Sequence, residues 1–195
     1  WTIDEYIKLQ FEKVKATVKE GSVFLLVSGG IDSTVTAVIL RNILGADRLR
    51  LLHIDNGLMR KDESRKVVEM FKKMGFKESL HFVDASEDFL NRLKEVYEPE
   101  AKRRIIGDTF VEVFTRETKR LNIEDYLLGQ GTIYPDTIET GGTKRAHTIK
   151  THHNRVPIIQ KMIEEKRVVE PLAELYKAEV RELGKRLGIP NELIH

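Results

Sequence analysis

A short segment rich in glycine and serine, placed between two apolar stretches, constrains this chain most. Ser28-Gly29-Gly30-Ile31-Asp32-Ser33 follows the apolar run at 23–27 and continues into Thr34 and the apolar stretch at 35–40. This order predicts a buried strand, a tight turn and a helix. Glycine lets the backbone approach a ligand closely, and first-turn N–H groups lie at the positive end of the helix dipole. We therefore expect residues 28–34 to bind phosphate.

The segment differs from the common phosphate-binding motifs. It lacks the Gly-Lys-Ser/Thr ending of a Walker A loop and the G-x-G-x-x-G spacing of a dinucleotide fold. An ordinary strand-to-helix turn would also use glycines. The hydroxyls of Ser28 and Ser33, together with the acid Asp32, favour a phosphate site over that alternative.

Asp32 points to a metal ion. A carboxylate about 4 Å from a phosphate charge is repelled by ~4 kcal/mol at an effective dielectric constant near 20. A divalent cation between them removes this conflict, and Mg²⁺ characteristically binds one or two carboxylates plus phosphate oxygens. The alternative is that Asp32 only caps the helix or interacts with its dipole. We predict Asp32 as the Mg²⁺ ligand.

Composition bounds the class of protein. The chain has 195 residues, 41% hydrophobic and 33% charged, which is typical of one soluble globular domain. No apolar run reaches the ~18 residues of a membrane span. The absence of cysteine excludes disulfides and cysteine nucleophiles or metal ligands, and a net charge of +2 gives no support for nucleic-acid binding. We expect a cytoplasmic enzyme without a nucleic-acid or membrane partner.

Apolar periodicity alternates between strand and helix along the chain. Strands are predicted at 23–27, 49–54, 79–83, 126–128 and 167–169, and helices at 3–19, 32–44, 62–74, from Ser86 as N-cap to Pro99, 100–121 and 176–187. This alternation predicts an α/β fold with a doubly wound, mainly parallel five-stranded sheet and helices on both faces. Ligands of such folds bind at the carboxyl ends of the strands.

Two further polar clusters follow predicted strands. Asp55-Asn56-Gly57 reads alone as a plain turn. Its place beside the first loop makes it the expected nucleoside site, with the backbone around Ile54 contacting adenine. After the fourth strand comes Gly129-Gln130-Gly131-Thr132, where glycines again allow close approach of a ligand.

Hydrophobic periodicity disappears between residues 136 and 156, which predicts a lid loop over an active site. Its cations would neutralise phosphates, although a solvated basic loop has the same composition. Zinc is disfavoured because no cysteine or spaced acid pair completes a ligand set with the histidines, which suit substrate contact or proton transfer better. The residues concerned are Lys144, Arg145, Lys150, Arg155, His147, His152 and His153.

The segment at 28–33 resembles the pyrophosphate-binding loop of the N-type ATP pyrophosphatases, which split ATP between the α- and β-phosphates. Within that group, further motifs resemble the ATP-pyrophosphatase domain of the GMP synthetase family. These motifs lie at 53–60, 102–107, 129–139, 149–154, 170–172 and 179–181. The resemblance implies an adenine nucleotide alpha-hydrolase-like fold for residues 1–195.

The resemblance also implies the chemistry. ATP with Mg²⁺ would adenylylate XMP and release pyrophosphate, and ammonia would then displace AMP to give GMP. Asp32, Asp136, Glu139, Lys150, His152 and His153 would be catalytic, while residues 28–34, Ile54 and Gly129, Gln130, Gly131 and Thr132 would bind ATP. Ala178 stands where relatives have aspartate, and Arg155-Val156-Pro157 replaces a usual glycine pair.

Further parts of such an enzyme are expected outside these residues. They are a C-terminal domain that forms a homodimer, and a glutamine amidotransferase domain or subunit that supplies ammonia. Two alternatives remain: another N-type ATP pyrophosphatase such as an NAD synthetase, or a catalytically silent nucleotide-binding module.

Overall fold

The computed structural model describes residues 1–60, 62–139 and 156–195. Within these ranges the strands are β1 (Val23–Leu26), β2 (Leu49–Asp55), β3 (Leu80–Asp84), β4 (Leu127–Gly129) and β5 (Val168–Val169). The helices are α1 (Ile3–Val18), α2 (Ile31–Leu44), α3 (Glu63–Lys73), α4 (Ser86–Leu93), α5 (Pro99–Leu121), α6 (Tyr134–Glu139), α7 (Pro157–Glu164), α8 (Lys177–Arg186) and α9 (Asn191–Ile194). None of the described helices is long and apolar enough to cross a membrane.

The strands form one five-stranded sheet in the order β3-β2-β1-β4-β5, and neighbouring strands are parallel. Leu25 of β1 pairs with Leu51 on one side and Gly129 on the other. The chain adds β2 and β3 on one side of β1 and then crosses to β4 and β5 on the other. The predicted doubly wound α/β fold is confirmed. The order in which strands are added reverses between β1 and β4, and sheets of this kind bind ligands at that point.

Alternating residues of β1 enter two hydrophobic cores, because successive side chains of a strand point to opposite faces. Val23 and Leu25 pack in the core that includes residues of α1, α2, α3, α8 and α9. Phe24 packs in the second core with residues of α4, α5 and α7, and its ring lies 5.9 Å from that of Phe114. Helices therefore cover both faces.

The first turn of α4 differs from the prediction. Ala85, not Ser86, is the N-cap, because the backbone N–H and hydroxyl of Ser86 both donate to the Asp84 carboxylate, at 3.0 and 2.6 Å. The helix also ends at Leu93, short of the predicted end near Pro99, and Glu95 just beyond it is left-handed with φ 63°.

The sequence patterns did not predict α6, α7 or α9. Residues 136–139, expected to open the lid loop, form the end of α6, and α7 begins at Pro157 directly after the predicted loop. These helices are too short for apolar periodicity to define them. The remainder of the predicted lid, residues 140–155, lies outside the described residues.

Candidate functional site

A cavity of about 850 Å³ opens at the carboxyl ends of the strands, within the usual size range of ligand pockets. Many residues predicted to bind nucleotide or metal line it: Ser28, Asp32, Ser33, Ile54, Gly129, Gln130, Gly131, Thr132 and Asp136. Four further predicted residues, Gly29, Gly30, Ile31 and Thr34, belong to the same loop and first helical turn. Lys150, His152 and His153 lie outside the described residues, and Glu139 is the last residue of α6.

The phosphate loop, residues 28–33, is fixed by short-range hydrogen bonds. Ser28 N–H donates to Ser33 Oγ at 3.3 Å, and Gly30 N–H donates to Ser28 Oγ at 3.4 Å. The first helical hydrogen bond of α2 runs from Thr34 N–H to Gly30 O at 3.1 Å. The amides of residues 31–33 precede that bond and so have no acceptor within their own helix. This arrangement suits an anion.

A side chain would be opposed at two glycines where the loop touches its neighbours, strongly at Gly29 and less so at Gly131. Gly29 has φ +86°, and a Cβ there would lie 2.5 Å from Cγ2 of Val67 on α3. A Cβ on Gly131 would lie 3.2 Å from the backbone carbonyl of Asp32. The loop is therefore packed between α3 and the segment that follows β4.

Asp32 forms an ion pair that sequence analysis missed. Lys177 Nζ, at the start of α8, donates to Asp32 Oδ2 at 2.6 Å, and both side chains are partly exposed. The other oxygen, Oδ1, is buried and has no hydrogen-bond partner in the described structure. Gly30 is the N-cap of α2, so Asp32 does not cap this helix.

The donor set near Asp32 suits Mg²⁺ only together with phosphate. No group of three or more histidine, aspartate or glutamate residues in the described part of the chain could hold a metal ion. The buried Oδ1 of Asp32 offers one hard oxygen ligand, and Mg²⁺ commonly takes its other ligands from phosphate and water. The residues present therefore fit a metal that arrives with a nucleotide.

The opposite side of the cavity is formed by the β4–β5 wall, the two segments 129–132 and 170–177; residues 129–132 and Glu170 line the cavity, and the rest of the second segment lies behind them. Thr132 donates its hydroxyl to Glu170 Oε1 at 2.9 Å, and Gln130 N–H donates to Val169 O at 3.0 Å. The Tyr6 hydroxyl of α1 donates to Pro171 O at 2.7 Å in a buried contact. Burial raises the pKa of Tyr6, so it remains a donor at neutral pH. Several elements thus fix the position of Glu170.

An apolar part of the cavity lies over the ends of β1, β2, β4 and β5 and extends to α5 and α7. His53 is buried between two contacts: its Nδ1 lies 2.8 Å from Val27 O and its Nε2 lies 3.0 Å from Ser64 Oγ. These contacts hold the end of β1 against α3.

The apolar lining of the cavity suits a flat, weakly polar group such as a purine base. It is formed by Leu26, Ile54, Met59, Phe110, Leu128, Ile159, Ile163 and Val168.

Lys177 and Glu170 were assigned no role in the sequence analysis. Glu170 lay in a quoted motif, whereas Lys177 fell between motifs beside the unusual Ala178. Their importance comes from contacts with residues far away in the chain. A lysine at the first position of a helix was the one local signal for Lys177, because cations are unfavourable at helix N-termini.

Comparison with known proteins agrees with the fold and shows the family. The sequence model of the NAD synthase family matches residues 3–107. A probable glutamine-hydrolyzing GMP synthase of Leptospira interrogans is 51% identical over all of this chain and 32% of its own length. The glutamine-hydrolyzing GMP synthase of Aquifex aeolicus is 43% identical over all of this chain and 37% of its own. The chain thus spans about a third of the length of these relatives.

Solved structures share the fold at low sequence identity. The NH3-dependent NAD synthetase of Campylobacter jejuni superimposes with a TM-score of 0.69 and 13% identity, over 100% of this chain and 77% of its own. The NMN synthetase of Francisella tularensis gives 0.66 and 14%, over 100% and 74%. The family match covers more than half of the chain, from α1 into α5. The chain therefore belongs to the NAD synthase family of N-type ATP pyrophosphatases.

Proposed function

We propose that this chain is the ATP-pyrophosphatase domain of a GMP synthase-type ligase. ATP adenylylates an oxygen of XMP and releases pyrophosphate, and ammonia then displaces AMP to yield GMP. The observation that carries the proposal is the phosphate loop: free N–H groups in the first turn of α2 and the Asp32 carboxylate, whose Oδ1 is buried without a hydrogen-bond partner, lie together at one edge of the cavity. XMP is chosen as the acceptor of the adenylyl group because relatives named GMP synthase are 43–51% identical over the whole chain.

The loop favours cleavage between the α- and β-phosphates. Its backbone amides and the hydroxyls of Ser28 and Ser33 stabilise a pyrophosphate whose charge grows as the bond breaks. Lys177 lies 2.6 Å from Asp32 and adds a cation at the same place. A Walker lysine, which holds the β- and γ-phosphates for γ-transfer, is absent from this loop.

Asp32 would hold Mg²⁺ together with the phosphates of ATP. The bound metal would supply charge neutralisation for the polyphosphate. The carboxylate itself orients the nucleotide over the first turn of α2, and Lys177 can exchange its contact from Asp32 to a phosphate oxygen when the nucleotide enters.

The position of the loop in the sheet orients the two substrates. Adenine would lie at the β2 end of the apolar lining, against Ile54 and Met59, and the phosphates at the end of β1. Adenosine then occupies one side of the loop, so the XMP oxygen approaches from the side of β4 and β5. The β4–β5 wall would therefore face the acceptor nucleotide.

The lid residues are proposed from the family resemblance. Asp136, whose Oδ2 accepts the Ile133 N–H at 3.1 Å, lies at the cavity and is the first residue of the predicted lid. Glu139 follows on α6. The remaining members would close over the adenylate and exclude water, which protects a hydrolysable intermediate; they are Lys150, His152 and His153.

Ammonia comes from a partner in this proposal. The chain contains no cysteine and so cannot supply a cysteine nucleophile for glutamine hydrolysis. Its relatives are named glutamine-hydrolyzing and are about three times as long. A glutamine amidotransferase domain or subunit, and a homodimer formed through a further domain, complete the enzyme.

One assay separates this function from that of an NAD synthetase, which the family name and the fold neighbours favour as the second candidate. The native full-length protein is given ATP, Mg²⁺ and ammonium with either XMP or deamido-NAD, and pyrophosphate is measured. We expect pyrophosphate release in the reaction that contains XMP and none in the reaction that contains deamido-NAD. Release with deamido-NAD alone would establish the second candidate, and nucleotide binding without release under both conditions would indicate a silent module.

A further inference from the structure

Glu170 is a carboxylate in a cavity built for polyphosphate. It is exposed to the cavity, and within the described residues its one polar side-chain contact is the Thr132 hydroxyl at 2.9 Å. No described cation pairs with it, unlike Asp32, which pairs with Lys177. A second negative charge beside phosphate would weaken nucleotide binding. Glu170 therefore has a complementary group other than phosphate.

The described residues give Glu170 no metal site of its own. The described side chains bring no third acidic or histidine ligand near it. Its Oε1 accepts the hydroxyl of Thr132, which orients the carboxylate, whereas Oε2 has no polar partner among the described residues. The remaining partners for such a carboxylate oxygen are an N–H donor and a proton.

The sheet places Glu170 away from the phosphates and on the acceptor side. It directly follows β5, which is separated from β1 by β4. Neighbouring strands lie about 4.8 Å apart, so the end of β5 is roughly 10 Å from the end of β1, where the phosphate loop begins. Adenosine is expected on the other side, over β2. Glu170 thus lies where the acceptor base and the nitrogen nucleophile must meet.

The backbone around Glu170 is held rigidly enough for a catalytic group. Gln130 N–H donates to Val169 O, Ala173 N–H donates to Glu170 O at 3.2 Å, and Tyr6 donates to Pro171 O. Hydrogen bonds from α1, from the end of β4 and from the turn after β5 are therefore made to the three consecutive residues 169–171. Such support keeps a side chain in a productive position.

We propose that Glu170 is the general base of the amination step, an inference that rests on the proposed function. The ammonia nitrogen forms a bond to the activated purine carbon, and the bond from that carbon to the AMP oxygen breaks. AMP leaves with the oxygen and the bonding electron pair. The nitrogen loses one proton, which Glu170 accepts. The products are GMP, AMP and a proton that passes to solvent.

The test separates adenylylation from amination in the native full-length protein. Glu170→Gln keeps the shape of the side chain and an oxygen that can accept from Thr132, but it cannot take up a proton. Glu174→Gln is the matched control, because the Glu174 side chain does not line the cavity and instead pairs at the surface with Lys13 at 3.2 Å. Pyrophosphate release is measured with ATP, Mg²⁺ and XMP before ammonium is added, and GMP formation is measured afterwards.

We expect Glu170→Gln to release pyrophosphate at nearly the wild-type rate and to accumulate the adenylylated nucleotide. Its GMP formation should fall by about 10²–10⁴-fold, the usual contribution of a general base. Glu174→Gln should match the wild type in both assays. Equal loss of both steps, or no loss of either, would overturn the role of Glu170 alone. Absence of XMP-dependent pyrophosphate release by the wild type would overturn the proposed function, and this inference with it.

Discussion

The phosphate loop and the β4–β5 wall lie on two sides of one cavity but are built differently. Hydrogen bonds within the loop join residues two to five positions apart. Those that form the wall join Thr132 to Glu170, 38 positions away, and Tyr6 to Pro171, 165 positions away. The first region is encoded by a local motif, whereas the second exists only after the sheet has formed.

Asp32 belongs to the loop and is bonded to Lys177 of the wall, so its replacement tests both regions. Asp32→Asn should lower metal-dependent pyrophosphate release by about 10³-fold, because an amide binds Mg²⁺ poorly. Thermal unfolding should change little, since the side chain is partly exposed and nearly isosteric. Pyrophosphate release is measured across a Mg²⁺ titration. Asp47→Asn, at the opposite end of β2, serves as the control, and near-wild-type turnover at low Mg²⁺ would exclude a metal role.

Lys177→Met tests whether the wall contributes to phosphate chemistry. We expect about 10²-fold slower adenylylation, since a charge-assisted hydrogen bond contributes ~1.5–3 kcal/mol. Lys185→Met, near the end of α8, is the control for losing a lysine from the same helix. Rates and ATP affinity are measured together. If the wild-type values persist in Lys177→Met, the pair with Asp32 is only structural.

Gly29→Ala tests whether the loop depends on its packing against α3. Its left-handed φ of +86° and the 2.5 Å approach to Val67 both oppose a side chain. Gly45 has φ +82° but open space around it, so Gly45→Ala introduces the same backbone strain without a steric clash. We expect Gly29→Ala to lose about 1–3 kcal/mol more unfolding free energy than Gly45→Ala, the usual cost of overpacking. Urea denaturation measures both, and equal losses would contradict the packing argument.

Tyr6→Phe should have the smallest effect, because it removes one hydroxyl from the wall. The buried Pro171 carbonyl loses its donor, and we expect a loss of about 1–2 kcal/mol in unfolding free energy. Tyr97→Phe, at a residue that is 83% exposed, is the control and should change nothing measurable. Chemical denaturation of both variants checks this. Identical stability of Tyr6→Phe and the wild type would show that the contact is not needed.

The same contrast explains how far the sequence predicted the structure. The parallel five-stranded sheet with helices on both faces followed from the alternation of apolar runs, and the position of Ser28, Asp32 and Ser33 at the cavity followed from one motif. Helices α6 and α7 were missed because one or two turns give little periodicity. Ser86 was misplaced because the side chain of Asp84 competes for its donors.

Lys177 and Glu170 could not be recognised from local pattern. Their partners, Asp32 and Thr132, lie 145 and 38 positions away in the chain. Tertiary structure alone brings these groups together, so no spacing rule within a motif predicts them. The roles of Lys150, His152 and His153 remain predictions from the family resemblance.

The most direct test of the account is the identity of the bond that is broken. The native full-length protein is incubated with ATP, Mg²⁺, XMP and ammonium, and the products are followed by phosphorus NMR. The phosphate loop predicts AMP and pyrophosphate in equal amounts, with formation dependent on XMP. ADP and phosphate as the main products, or equal cleavage of ATP without XMP, would contradict it.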